Sequence, residues 1–160
     1  MQHYEVVVVG TGLSGVCAAI KLQQAGIQNI RIFEKADDVG GTWRDNRYPG
    51  VACDVPSHLY SYSFAPNPEW SRWYAPGAEI LEYVRNCAKR YGILEQITFN
   101  TTIESAAWQS DRWELTDSND VTFSSKYVIS ALGGLHIPKT PDLTNKESFE
   151  GQIFHTAHWP

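Results

Sequence analysis

Residues 5–34 read EVVVVGTGLSGVCAAIKLQQAGIQNIRIFE, and this stretch decides the fold class. The β-branched run at Glu5–Val9 predicts a short strand that is buried on both faces. A glycine-rich turn follows, and a helical stretch then runs to about Ala25, before Gly26. Ile30–Phe33 predicts a second strand. Strand, turn, helix and strand form a βαβ unit of about 30 residues, the context in which a GxGxxG match becomes informative.

The glycines of this turn and the acid after the second strand have separate expected roles. Gly10 allows the tight turn, Gly12 lets the backbone approach a pyrophosphate, and Gly15 lets the helix pack closely on the strand. The helix N-terminus adds N–H donors and the positive end of its dipole. Glu34 follows Gly15 by 19 residues, where a carboxylate accepts from a ribose 2′-hydroxyl and repels a 2′-phosphate. The site therefore favours FAD or NAD over NADP, with a glycine turn that binds nothing as the alternative.

The remainder of the chain predicts a continued α/β organisation. Residues 35–77 are rich in Gly, Pro, Asp and aromatic residues, and so long an irregular stretch usually serves function. Apolar spacing predicts a helix over 77–91 and a core strand over 97–100. Short alternating runs predict an antiparallel meander at about 103–124, and 127–132 predicts another buried strand. We expect an α/β, Rossmann-like three-layer fold with a small antiparallel β-meander.

Composition excludes several classes of protein. The 160 residues carry a formal charge of −5 with no cluster of Lys and Arg, which argues against nucleic-acid binding. No apolar run reaches the ~18 residues of a membrane span, and the start resembles no signal peptide. Three widely spaced cysteines fit a reducing compartment, so we expect a cytoplasmic protein without a disulfide framework. Six Trp, eight Tyr and six Phe supply many flat side chains for so short a chain.

Two further motifs favour FAD over NAD. Gly40–Trp43 reads GGTW just after the second strand, and Asn46–Asp54 reads NRYPGVACD. A second close approach of backbone together with aromatic side chains suits an isoalloxazine ring, which needs a flat wall and a few polar anchors. FAD is therefore the expected bound cofactor.

The end of the chain carries a specific family resemblance. Residues 149–160 read FEGQIFHTAHWP and match the pattern FxGxxxHxxxW(P/D) at every defined position. With GxGxxG, GGTW and RYPGxxCD, the chain resembles the N-terminal FAD-binding part of a flavin-dependent Baeyer–Villiger monooxygenase, within the flavin-containing monooxygenase superfamily. The resemblance covers essentially all residues, and relatives that oxygenate nitrogen or sulfur typically lack a Trp at the position of Trp159.

The resemblance implies a set of site residues. Asp54 resembles an active-site aspartate near the flavin and nicotinamide, and would orient a cationic partner. Ile103 would offer backbone hydrogen bonds to the adenine, and Ala131 begins an Ala-Leu-Gly stretch where the family more usually has Ala-Thr-Gly. The cofactor-binding residues that it implies are Gly10, Gly12, Leu13, Ser14, Gly15, Glu34, Lys35, Gly41, Thr42, Trp43, Cys53, Asp54, Tyr60, Ile103 and Ala131. The signature residues are Phe149, Gly151, His155 and Trp159.

The same resemblance implies an oxidoreductase that uses FAD and NADPH. NADPH would reduce the bound FAD, and O2 would add to give a C4a-peroxyflavin that inserts one oxygen atom into a ketone, forming an ester or lactone. The small-molecule ketone and O2 would be its partners. The alternatives are a sulfur- or nitrogen-oxygenating flavin monooxygenase and a non-catalytic FAD-binding fragment.

Some residues have plainer interpretations. Asp54 fits a polar turn on residue statistics alone. His155 and His158 have HxxH spacing, but no Cys or carboxylate cluster completes a metal site, so none is expected. Cys53 has no CxxC partner, which argues against a disulfide reductase.

The resemblance also predicts the organisation of the chain. Residues 1–148 would be the N-terminal segment of the FAD-binding domain, and 149–160 a linker towards an NADPH-binding domain. Neither a second GxGxxG nor the family's downstream arginine occurs in the 160 residues. We therefore expect an incomplete FAD domain, whose chain by itself does not turn over NADPH.

Overall fold

The computed structural model describes residues 1–160 and contains six strands and three α-helices. The bounds are β1 Gln2–Val9, α1 Leu13–Gln24, β2 Ile30–Phe33, α2 Thr42–Asp45, α3 Gly77–Arg90, β3 Ile97–Thr98, β4 Ile103–Gln109, β5 Arg112–Asp117 and β6 Thr122–Ser130. The predicted elements of the βαβ unit and the helix after residue 76 are confirmed, although β1 begins at Gln2, three residues before the predicted start at Glu5. The stretch 35–77 contains one short helix, α2, and one 3₁₀ turn.

All six strands form one mixed sheet in the order β3-β2-β1-β6-β5-β4. The pairs β1–β2, β1–β6 and β2–β3 are parallel, whereas β4–β5 and β5–β6 are antiparallel. Parallel neighbours end at the same edge of a sheet, so the residues that follow β1, β2 and β6 converge. This mixed α/β sheet confirms the predicted fold class.

Strand β6 corrects the predicted division between the meander and the next strand. The sequence predicts that the meander ends at about residue 124 and that 127–132 is a separate strand, but Thr122–Ser130 is continuous and pairs with both β1 and β5. The polar residues between them suggested a break. Instead, Ser124 and Ser125 are buried, and the Ser125 hydroxyl donates to the Tyr127 carbonyl at 2.7 Å. Because their hydrogen bonds are made internally, these serines do not interrupt the strand.

The sheet separates two apolar layers. The larger core lies between the sheet and helices α1 and α3, and includes Val6, Val8 and Ile32. On the opposite face, Val7 and Phe33 pack with Leu115 of β5 and Phe123 of β6. Strands β5 and β6 therefore contribute apolar side chains to the core on this face of the sheet. Across the β4–β5 hairpin turn, Trp108 and Trp113 pack edge to face, with their ring centroids 5.7 Å apart.

A cluster of tyrosines connects α1, α3 and the loop before α3. The Tyr62 hydroxyl donates to the Leu13 carbonyl at 2.7 Å, and the Tyr62 N–H donates to the Tyr83 hydroxyl at 2.7 Å. The Tyr83 hydroxyl in turn donates to the Ala65 carbonyl at 2.8 Å. Burial raises the pKa of both phenols above the ordinary value of about 10.

This cluster predicts a loss of stability at alkaline pH. Unfolding exposes Tyr62 and Tyr83, which then lose their protons above pH ~10 while the folded state retains them. The free energy of unfolding should therefore be constant with respect to these groups below pH ~10 and fall as the pH rises further. Urea denaturation followed by tryptophan fluorescence between pH 8 and 11 measures this. Tyr62→Phe should flatten the decline, whereas Tyr74→Phe, at an exposed position, should leave it unchanged. Parallel declines in both variants and the wild type would contradict the assignment.

No helix in the structure combines the length and apolarity needed to cross a lipid bilayer.

Candidate functional site

A cavity of about 590 Å³ lies where the carboxyl ends of the parallel strands converge. Gly10, Glu34 and Ala131 are each the first residue after β1, β2 and β6, and all three line it. In open α/β sheets, ligands bind in the crevice outside these strand ends. The lining residues are Val9, Gly10, Thr11, Gly12, Leu13, Ser14, Phe33, Glu34, Lys35, Gly40, Gly41, Thr42, Trp43, Arg44, Asp45, Tyr60, Thr101, Thr102, Ile103, Ala131, Leu132, Gly133, His136 and Ile137.

The three motif glycines meet different surroundings. Gly10 has φ +101°, and a Cβ there would lie 2.6 Å from the Ala131 carbonyl oxygen. A Cβ on Gly15 would lie 1.9 Å from the Gly10 carbonyl oxygen, which excludes any side chain. At Gly12 the nearest atom would be the Cα of Gly41, at 3.9 Å, an ordinary contact. Packing within the protein therefore requires glycine at positions 10 and 15. At position 12 the protein itself would accept a larger residue, so the need for glycine there would come from a bound ligand.

Helix α1 presents free donors to this cavity. Its N-cap is Gly12, which has no side chain to accept hydrogen bonds from the N–H groups of the first turn. The first N–H groups of a helix have no partner within the helix, and they attract anions together with the helix dipole. Because Leu13 and Ser14 line the cavity, this helix end is suited to a pyrophosphate.

Glu34 lies at the centre of a buried hydrogen-bond network. Its carboxylate oxygen Oε2 accepts from the Thr11 N–H at 2.8 Å and from the Thr11 hydroxyl at 2.6 Å. Oxygen Oε1 accepts from the Ala36 N–H at 3.0 Å and lies 3.2 Å from Nη1 of Arg44. Glu34 is 4% exposed and Arg44 5% exposed, so this ion pair is shielded from water. Charged groups in such a position are stable only when paired and hydrogen-bonded.

Trp43 and Tyr60 form an aromatic wall on another side of the cavity. The Trp43 indole N–H donates to the Tyr60 hydroxyl at 3.0 Å, and the rings meet edge to face at 5.6 Å. Burial raises the pKa of Tyr60, the hydrogen bond from Trp43 opposes this, and Cys53 and Asp54 add to the rise. Tyr60 is therefore a neutral phenol at physiological pH, with a hydroxyl hydrogen that can still be donated.

The cavity brings together all but three of the cofactor-binding residues expected from the sequence. Gly15 does not line it, because it lies beneath the turn and packs against Gly10. Cys53 is buried in the following loop, and its N–H donates to the Ala75 carbonyl at 2.9 Å. Asp54 is exposed and also lies outside the cavity lining.

The signature residues lie apart from the main cavity. Phe149 and Trp159 are largely exposed, and the Trp159 ring packs edge to face on Phe154 at 4.9 Å. A Cβ on Gly151 would lie 2.5 Å from the tip of the exposed Phe149 ring, which rotation of that side chain would relieve. The His155 ring accepts a hydrogen bond from the Ala157 N–H at 3.0 Å. Trp159 lines a second, shallower depression that shares Lys35, Arg44, Asp45, Thr102 and His136 with the main cavity.

Sequence reasoning missed Thr11 and Arg44. Thr11 occupies an unspecified position of GxGxxG, and Arg44 follows GGTW, so neither belongs to a defined motif position. The sequence does contain an acid after β2 and a basic residue in the next glycine-rich segment. Spacing does not reveal that pairing, because the two side chains meet only after the chain has folded back.

Comparison with known proteins finds a matching domain family over part of this chain and similar enzymes over nearly all of it. Residues 8–76 match the family described as NAD(P)-binding Rossmann-like domain. A Baeyer-Villiger monooxygenase of Streptomyces coelicolor is 43% identical over 160 residues, which are 99% of this chain and 31% of that protein. The chain thus spans about a third of the length of this relative.

Solved structures agree with this relationship. An oxidized steroid monooxygenase bound to NADP superposes with a TM-score of 0.89 at 39% identity, covering 99% of this chain and 32% of that one. OTEMO in complex with FAD and NADP superposes with a TM-score of 0.89 at 35% identity. The match covers 98% of this chain and 31% of that one. By sequence this chain is related to Baeyer–Villiger monooxygenases and by fold to solved monooxygenase structures, in each case over about a third of the relative's length.

Proposed function

We propose that this chain binds FAD in the main cavity and is the FAD-binding segment of a Baeyer–Villiger-type monooxygenase. The observation that carries the proposal is the buried Glu34 carboxylate at the strand edge, beside a glycine turn with room at Gly12. A carboxylate in this position selects a ribose with a free 2′-hydroxyl. The relatives support the same cofactor, since one solved neighbour holds both FAD and NADP.

Each part of FAD has candidate partners among the residues that line the cavity. The turn at Gly12–Ser14 and the N-terminus of α1 would hold the pyrophosphate, and Glu34 the adenosine ribose. Ile103 would lie beside the adenine, while Thr42, Trp43 and Tyr60 would flank the flavin. An aromatic wall with one hydroxyl donor provides the flat surface and the polar anchor that a flavin ring needs.

The proposed reaction inserts one oxygen atom of O2 into a ketone to give an ester or lactone. Bound FAD, once reduced by NADPH, supplies the activation of O2. The residues of this chain bind and orient that cofactor, and the Trp43–Tyr60 wall excludes water from one side of it. Asp54 lies near enough to Tyr60 to raise the pKa of its phenol, and we assign Asp54 the orientation of a cationic group close to the flavin.

FAD titration tests the binding proposal. Mixing the purified chain with FAD should quench the flavin fluorescence with a stoichiometry of one, and should shift the visible absorption bands. ADP should compete for the site, whereas adenosine 2′-phosphate derivatives should compete poorly, because Glu34 would repel the phosphate. Unchanged flavin fluorescence at saturating protein concentration, with the chain folded by circular dichroism, would refute FAD binding.

Product analysis tests the reaction. In the presence of FAD, NADPH and O2, the monooxygenase that contains this segment should convert a cyclic or aryl ketone into a lactone or ester, measured by gas chromatography. A methyl aryl sulfide serves as the comparison substrate. Sulfoxide without any ester would favour the heteroatom-oxygenating class, and FAD binding without oxygen-dependent NADPH oxidation would indicate a non-catalytic module.

A further inference from the structure

Arg44 is a buried cation that the FAD-binding motifs do not explain. Its guanidinium contacts three acceptors, two of them just after β2 and one on the neighbouring residue. Nη1 lies 3.2 Å from Glu34 Oε1 and donates to the Asp38 carbonyl at 2.5 Å, while Nε donates to the Asp45 carboxylate at 2.8 Å. A buried guanidinium is costly unless such partners compensate it. Its planar fork suits it to hold several acceptors in fixed directions.

The partners of Glu34 differ in how easily they can leave. A carboxylate offers about four lone-pair positions, and all four donors described above are within hydrogen-bonding range. Two of them are backbone N–H groups, those of Thr11 and Ala36, which the fold holds in place. Arg44 carries the compensating charge. The Thr11 hydroxyl, on Oε2, is the one donor that can leave by rotation about a single side-chain bond.

We propose that Arg44 is a positioning residue for recognition of the adenosine ribose. It anchors Glu34 through Oε1, so that Oε2 becomes the oxygen at which the ribose hydroxyl replaces the Thr11 hydroxyl. This inference rests on the proposed FAD binding and specifies how that site recognises the ribose.

The location of Arg44 extends the effect of this anchor. Arg44 belongs to α2, and the two residues before it in this helix, Thr42 and Trp43, line the aromatic side of the cavity. The Arg44 guanidinium therefore connects Glu34, which would bind the ribose, with α2, which is expected to flank the flavin. Loss of Arg44 should loosen both walls of the cavity, but only the contact through Glu34 depends on the ribose hydroxyl.

The test compares FAD with its analogue that lacks the 2′-hydroxyl of the adenosine ribose. Affinities are measured by isothermal titration calorimetry for the wild type, Arg44→Lys and Arg44→Met. The wild type should prefer FAD by about tenfold or more, the range expected for a hydrogen bond to a charged group. Arg44→Met should reduce that preference to within about twofold, and Arg44→Lys, which keeps the charge, should retain an intermediate preference.

The preference ratio separates positioning from a general structural role. A general loosening of the cavity would weaken both ligands equally and leave the ratio unchanged, which would overturn the proposal. Arg85→Met is the matched control, because Arg85 pairs with Asp38 on the surface and does not contact Glu34. It should keep the wild-type ratio.

A second variant tests the exchange at Oε2 if Arg44→Met fails to fold. Thr11→Val removes the competing hydroxyl at nearly constant volume, so FAD should bind more tightly by about threefold or more while the unliganded chain becomes less stable. FAD affinity that is unchanged or reduced in Thr11→Val would overturn the exchange. A wild-type chain that binds FAD without preferring it over the analogue would overturn the ribose assignment, whereas no FAD binding at all would refute the proposed function instead.

Discussion

Gly15→Ala should lower the free energy of unfolding by about 2–4 kcal/mol. The added Cβ would lie 1.9 Å from the Gly10 carbonyl oxygen and 2.9 Å from its carbonyl carbon. Both are backbone atoms, so no side-chain rotation relieves the clash, and α1 has to move away from the end of β1. Alanine gains about 1 kcal/mol over glycine within a helix, which is too little to offset this overpacking.

The measurement is the urea or thermal midpoint of the variant. A loss of this size corresponds to a fall of roughly 4–16 °C in Tm for a domain of this length. Gly134→Ala is the matched control, because no heavy atom lies within 4 Å of a Cβ built there and its φ is not positive. It should stay within about 0.5 kcal/mol of the wild type. A Gly15→Ala chain as stable as Gly134→Ala would show that the helix does not pack on the strand at this distance.

Gly12→Ala should abolish most FAD binding while the fold persists. In the protein, a Cβ at this position makes only an ordinary contact, at 3.9 Å from the Gly41 Cα. Alanine is a poorer N-cap than glycine, so stability should fall by no more than about 1 kcal/mol. The methyl group would nevertheless stand where the pyrophosphate approaches the backbone. We expect FAD affinity to fall by about 100-fold, equivalent to ~2.7 kcal/mol.

Two readouts are needed for this variant. The thermal midpoint without ligand should remain near that of the wild type, and the increase in midpoint on adding FAD should disappear. Gly26→Ala provides a comparison outside the cavity: its φ of +86° makes alanine strained there, yet nothing lies within 4 Å of the new Cβ. That variant should lose some stability and keep the FAD-induced increase. Retained FAD affinity in Gly12→Ala would place the pyrophosphate elsewhere.

Much of the fold could be predicted because the decisive signals are local. The β-branched run of β1, the turn glycines and the apolar spacing of α3 each specify an element without reference to the rest of the chain. The continuity of β6 could not be predicted in this way. Ser124 and Ser125 favour a break by composition, and only the hydrogen bonds made after β6 docks between β1 and β5 satisfy them.

The residues of the candidate site also fall into two groups, those that the sequence predicts and those that it does not. Residues at defined motif positions, such as Gly10, Gly12 and Glu34, were predicted and do line one cavity. The partners of Glu34 were not, because hydrogen bonding between side chains on separate loops leaves no periodic trace in the sequence. Asp54 shows the converse: the family resemblance places it near the flavin, but in the structure it is exposed beside the cavity rather than part of its lining.

The position of β6 has a consequence for the order in which the molecule assembles. Ala131 follows the end of β6, and its carbonyl oxygen lies against Gly10. Within β6, the Ser124 side chain contacts His3, which is 121 residues earlier. During synthesis the glycine turn is made well before Ala131, its neighbour on one side. Such long-range pairing slows folding, because the entropy of closing the loop precedes the gain from contact. The glycine turn therefore becomes a complete binding site only after β6 has docked beside β1.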